Sequence, residues 1–373
     1  MFITIGTGFS YGTLVLPLSR DVGVGQGAAS GVFAVTIMVF FLLGAPIGMV
    51  SDRFGARPVL LVGAVAAGAG LAVTAGATGV ATVYLAHGLL VGLAMACTFI
   101  PLTVVVSAAF ERHRSLAVGV AVSGIGMGTL VMAPLTAVLI DAVGWRQAYV
   151  VLAVAAAATL LACTALLPGA PTAASHAYGT GPRPTLRSSL RSPDYRLLYV
   201  AQVLLSVAVF TPFVHLPAYA EESGVDPVSA AGLVGLIGAA SVLGRLALGP
   251  VADRLGLLTT YRLCYVAISL SFLFWLWPVG GYPGLLAHAA VFGVGYGGFV
   301  TLLPGVLAAR FGLTQLGGLL GLVYTANVIG AGLGPLLTGL LIEDHGYAVP
   351  GAAALACGAV AVMVLRGVDL RRG

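Results

Sequence analysis

The chain has 373 residues, 59% hydrophobic and only 8% charged, with a formal net charge of +5 and a mean hydropathy of +1.06. A water-soluble domain of this size cannot cover itself with so few charges, so lipid is its solvent. The positive balance is not a nucleic-acid footprint, because the 17 basic residues are all arginines and, Arg245 apart, fall in or near the breaks between apolar runs.

Taken in chain order, apolar runs predict membrane helices near residues 2–19, 27–50, 58–77, 80–109, 115–140 and 147–167. Each approaches or exceeds the roughly 20 residues that cross a hydrocarbon layer of about 30 Å. The stretch from Pro168 to Pro193, rich in Pro, Ala, Ser and Thr, reads as a linker. Six more helices are predicted near 196–220, 228–251, 258–278, 283–309, 315–342 and 347–365. The expected fold is an all-α membrane protein of twelve transmembrane helices. They form two six-helix bundles, 1–167 and 196–373, around a linker at 168–195.

With that topology, fourteen arginines lie on the side of both termini and two, Arg20 and Arg146, on the other. The excess of positive charge in cytoplasmic loops then places both termini and the linker in the cytoplasm. A multi-pass protein of the inner (plasma) membrane is expected, with no cleavable leader before the first span. The absence of Lys, a single Asn, and the abundance of Ala and Gly fit a GC-rich bacterial genome. Cys97, Cys163, Cys264 and Cys357 stand singly in apolar runs, so no metal site, disulfide or cofactor is expected.

The two halves repeat. Gly48-Met-Val-Ser-Asp52-Arg53-Phe-Gly55 returns as Gly249-Pro-Val-Ala-Asp253-Arg254-Leu-Gly256, an interval of 201 positions, and Pro134 returns as Pro335 at the same interval. The first copy, continued by Arg57, resembles the signature loop of the major facilitator superfamily. In that setting Gly48 allows close helix approach, and Asp52 and Arg53 reach helix ends to hold one face shut. Gly48, Asp52, Arg53, Gly55, Arg57, Asp253 and Arg254 are therefore the expected cytoplasmic gate.

Within that superfamily the second half resembles the monocarboxylate porters, including bacterial members and oxalate/formate exchanger relatives. The resemblance is carried by Phe213-Val-His215-Leu-Pro217-Ala-Tyr219-Ala-Glu-Glu222-Ser-Gly224, by Gly235-Leu-Ile-Gly238 and by Gly244-Arg245-Leu. Gly8-Phe-Ser-Tyr11-Gly12, Phe110-Glu-Arg112-His-Arg114-Ser-Leu-Ala117 and Gly144-Trp-Arg146 match in the first half. The resemblance implies a major facilitator fold and an anion-binding role for Arg245.

Arg245 is the one charge deep in a predicted span. A charge there costs about 2.5 to 3.5 kcal/mol on insertion scales, so it needs a pore, a partner or a ligand. It lies roughly 12 Å from the expected cytoplasmic boundary, by helical rise from Asp253. A guanidinium presents paired donors that fit a carboxylate, although a contact with a helix end would also satisfy it. His215, about 9 Å inside the outer boundary, is a donor to the anion, a proton carrier or a packing histidine. By resemblance Tyr296 is a substrate-facing aromatic and Glu222 a proton-coupling candidate beside His215. Tyr11, Phe99, Tyr324 and Asn327 are further candidates because they are polar or aromatic within spans, where packing explains them equally well. His87 and His288 read as packing or interfacial residues.

Two expected partners are missing. The first-span lysine of animal porters is Leu14 or Val15 here, and the aspartate one turn before the arginine is Ser241. The resulting expectation is a secondary transporter of small monocarboxylates such as lactate or pyruvate, working as a monomer by alternating access, with or without proton symport. Efflux of neutral hydrophobic solutes or drugs is the rival. A transporter-like membrane receptor is another, although only seven residues follow Arg366. No cluster of nucleophile, base and metal ligands points to an enzyme.

Overall fold

The computed structural model describes residues 1–24, 26–110, 113–167, 186–276 and 281–368. The linker positions 168–185 and Arg112, Arg183, Arg371 and Arg372 lie outside the described residues. Within them the chain forms helices α1 (Phe2–Phe9), α2 (Gly12–Val22), α3 (Gln26–Phe54), α4 (Ala56–Ala75), α5 (Val80–Ala109), α6 (Arg114–Val143) and α7 (Trp145–Leu166). There follow α8 (Leu186–Arg191), α9 (Pro193–Glu222), α10 (Pro227–Leu255), α11 (Leu257–Leu276), α12 (Tyr282–Phe311), α13 (Leu316–His345) and α14 (Ala348–Arg366). Ten stretches among the described residues are long and apolar enough to cross a membrane, and two shorter apolar stretches, Phe2–Val15 and Leu316–Ala331, accompany them.

Local chemistry sets the helix limits. Ser192 caps α9 by accepting the Tyr195 N–H at 3.1 Å, and Pro193 at the first helical position has no N–H to leave unpaired. Gly55 and Gly256 join α3 to α4 and α10 to α11 in one residue each, with φ of 85° and 92°, a left-handed conformation that residues with a Cβ resist. The first predicted span is two helices. Between them Ser10 Oγ donates to the Thr7 carbonyl and Thr13 Oγ1 to the Ser10 carbonyl, both at 2.8 Å, so side chains satisfy backbone groups where the ladder is interrupted. The fourth predicted span, α5, widens to π hydrogen bonding over Tyr84–Val91.

Two compact units are present. The first comprises Met1–Ala108, Ala121–Gly181 and Leu313–Leu322; the second comprises Ala109–Val120, Pro182–Gly312 and Val323–Gly373. Helices α6 and α13 thus each begin in one unit and continue in the other.

Inside each unit, close crossings depend on glycine, as expected where helices associate in lipid by packing alone. A Cβ on Gly92 would come within 2.7 Å of the Thr36 carbonyl oxygen, and one on Gly293, its counterpart 201 positions later, within 2.6 Å of that of Ile237, the counterpart of Thr36. Elsewhere the repeat exchanges partners. In the first unit Gly63 on α4 faces Cys97 on α5; in the second Cys264 on α11 faces Gly298 on α12. Likewise Gly68 faces Ala157 in the first unit, and Ser269 faces Gly358 in the second. The small and the larger residue have changed places at the same crossing.

Candidate functional site

In the second unit, α10 and α12 cross with almost no side chain between them. A Cβ on Gly244 would collide with the Val294 carbonyl, and one on Gly297 with the Ser241 carbonyl and the Arg245 backbone nitrogen. Gly119, at the start of α6, abuts the Arg245 carbonyl in the same way. These contacts fix the backbone of Arg245, whose side chain is only 3% exposed. Tyr296 on α12 and Tyr324 on α13 are both near enough to interact electrostatically with its guanidinium. Tyr324 also points its hydroxyl at the Val300 carbonyl at 3.5 Å.

An aromatic wall extends from this point. Tyr296 contacts Phe213 edge-on at 5.6 Å and stacks with Phe292 at 6.2 Å between ring centroids. His215 is half-buried two residues beyond Phe213 on α9. Glu222, at the end of that helix, accepts the Tyr347 hydroxyl at 2.8 Å. A phenol is protonated at neutral pH, so Tyr347 is the donor and the carboxylate the acceptor.

Asn327 belongs to a buried relay. Its Oδ1 accepts from Gln202 Nε2 at 3.0 Å, Gln202 Oε1 accepts from the Tyr265 hydroxyl at 3.3 Å, and the Tyr261 and Tyr265 hydroxyls are 3.0 Å apart. With the protons running from Tyr261 towards Asn327, every buried hydroxyl hydrogen has an acceptor. Reversing both amides would leave the fully buried Tyr261 hydroxyl without one. This direction leaves Asn327 Nδ2 outside the relay.

The first-unit candidates stand in their own surroundings. Tyr11 is fully buried, donates to the Ala29 carbonyl at 2.9 Å and packs on His87 at 4.5 Å. Phe99 meets Phe40 edge-on at 5.8 Å. His87 and His288, separated by the same 201 positions, are both fully buried. His87 Nδ1 bonds Thr36 Oγ1 at 3.2 Å, and His288 Nδ1 donates to the Ser271 carbonyl at 2.9 Å.

The two motif copies differ in what their carboxylates meet. Asp52 accepts the backbone N–H groups of Gly317 and Gly318 in the first turn of α13, at 3.0 and 2.7 Å. A carboxylate there meets unpaired donors and the positive end of the helix dipole. Gly48, one turn earlier, touches the Gly317 backbone so closely that no Cβ fits. In the second unit Asp253 lies 3.7 Å from His113 Nδ1, and Gly249 abuts Ser115 and Leu116. The Arg53 guanidinium lies over the Phe54 ring at 5.2 Å. Arg57 and Arg254 are not deeply buried.

Sequence reasoning did not find Gln202, His113 or the glycine donors Gly317 and Gly318, which become significant only through long-range contact. The His87–His288 pairing, by contrast, is readable from the repeat interval.

Comparison with known proteins places this architecture. The profile of the Major Facilitator Superfamily matches residues 1–287 and 243–372. Monocarboxylate transporter 13 of Bos taurus is 34% identical over 73% of this chain and 64% of its own length. Monocarboxylate transporter 11 of Homo sapiens is 35% identical over 81% of this chain and 66% of its own length. The chain therefore spans just under two thirds of the length of these curated relatives. The structure of the E. coli fucose:proton symporter FucP superposes with a TM-score of 0.78 over 99% of this chain and 96% of that one, at 14% identity. The chain belongs to the major facilitator superfamily and is similar to the monocarboxylate transporters.

Proposed function

We propose that this transporter carries small monocarboxylates, of the size of lactate or pyruvate, by alternating access. The carrying observation is Arg245, a guanidinium 3% exposed in an apolar helix and beside Tyr296 and Tyr324. An interior positive charge of this kind favours an anionic ligand, and its planar fork matches a carboxylate. Tyr296, Tyr324, Asn327 and His215 would shape and polarise the site in the second unit; Tyr11 and Phe99 are the substrate-binding candidates of the first.

In this reading the chain crosses the plasma membrane twelve times, six in each half, with both termini and the linker in the cytoplasm, as its arginine distribution favours. Asp52 with Gly48, Arg53, Gly55 and Arg57, and Asp253 with Arg254, would gate the cytoplasmic side. Glu222 and His215 are the groups proposed to take up a proton if the anion is co-transported with one. A single chain would suffice for the pathway.

Uptake of radiolabelled lactate and pyruvate into proteoliposomes, with and without an inward proton gradient, tests the proposal. Uptake stimulated by the gradient and abolished in Arg245→Ala is expected. Absence of uptake by wild type under both conditions, or normal uptake by the variant, would overturn it.

A further inference from the structure

A cleft of about 330 Å³ is lined by Arg187, Ser188, Arg191 and Ser192, none of them among the proposed substrate-site residues. Its two arginines are four residues apart on α8, so they project side by side. The opposite side of this helix is turned inward: Ser189 is buried, and Leu186 and Leu190 are half-buried. Both guanidiniums are exposed, and neither has a carboxylate within ion-pair distance among the described residues. The nearest acid in sequence, Asp194, is held by Arg310 Nε at 2.7 Å on the buried side of α9. Ser192 uses its oxygen to accept the Tyr195 N–H, which leaves its own O–H to donate outward.

The guanidiniums and the Ser192 hydroxyl therefore offer donors without a neutralising acid. Two guanidinium forks bring more donors than the two oxygens of one carboxylate can accept, and they suit the several oxygens of a phosphate. The cleft also sits immediately before Pro193–Phe213, a stretch apolar enough to cross a membrane, so it lies where that helix leaves the hydrocarbon for the headgroup layer. We infer that Arg187, Arg191 and Ser192 form a binding site for a phosphate group, supplied by an anionic phospholipid headgroup or by a soluble phosphate.

The full-length protein in nanodiscs of phosphatidylcholine, with or without phosphatidylglycerol, provides the test, with lipid retention read by native mass spectrometry. An arginine near an anionic surface contributes about fivefold to binding, so Arg187→Gln with Arg191→Gln lowers phosphatidylglycerol retention on the order of 30-fold. Arg366→Gln, which removes an exposed charge at the end of α14, leaves retention unchanged. Retention that excess inorganic phosphate does not displace assigns the site to lipid. Stabilisation of wild type by inorganic phosphate, lost in the double variant and without selective lipid retention, assigns it to a soluble phosphate. Equal lipid retention and equal phosphate response in wild type and double variant overturn the inference.

Discussion

Asp52 and Gly318 are 266 positions apart in the chain and 2.7 Å apart in space, carboxylate oxygen to backbone N–H. Charge, not shape, distinguishes this contact from an ordinary helix cap. Asp52→Asn keeps an acceptor but removes the interaction of a full negative charge with the α13 terminus, a loss of about 1 kcal/mol. Thermal unfolding of the purified protein should register that loss. Gly48→Val should be more severe, because its side chain has to displace the Gly317 backbone.

Arg245→Lys separates charge from geometry. Lysine keeps the positive charge but loses the planar pair of donors, so the concentration for half-maximal lactate uptake should rise on the order of tenfold, while Arg245→Ala loses uptake altogether. Concentration series in proteoliposomes check both. A lysine variant indistinguishable from wild type would show that charge alone is required.

The relay through Gln202 predicts a non-additive pair. Gln202→Leu strands the Asn327 carbonyl without its donor in a buried place, costing about 1 to 3 kcal/mol. Removing both groups, in Gln202→Leu with Asn327→Leu, should cost less than the sum of the single changes. Thermal unfolding of the four proteins measures the coupling.

The exchanged contacts of the two units predict a rescue. Gly298→Cys alone places a Cβ against the end of the Leu248 side chain and 2.7 Å from Cys264 Sγ, and such overpacking costs about 1 to 3 kcal/mol. Adding Cys264→Gly reproduces the Gly63–Cys97 arrangement of the first unit and should restore the part of the loss due to the sulfur, the remainder being what Leu248 cannot relieve by turning away. Unfolding temperatures of the single and double variants decide the matter.

The helices were legible in the sequence because apolar length is a one-dimensional property. The motif copies at Gly48 and Gly249 were legible because their aspartate and arginine stand out in apolar surroundings and return at one interval. What Asp52 and Asp253 bind was not, since the first meets backbone donors and the second a histidine although the local sequences match. Partner choice depends on which distant segment the fold delivers. Nor did hydropathy reveal the break at Ser10 or the π-helical turns around His87, because both preserve the apolar count of their spans. Arg245 stood out as a lone interior charge, whereas Gln202, uncharged and fully buried, did not.

Cys97 facing Gly63, and Gly298 facing Cys264, show what the two halves have retained since they diverged. At that crossing they have kept a pairing of one glycine with one cysteine, with the bulk on one helix in the first half and on the other in the second. Drift between duplicated halves then proceeds through complementary changes, so a residue copied from one half into the other without its partner brings a clash or a void. Identity counted position by position understates the kinship of such halves, because the inherited quantity is shared between two helices.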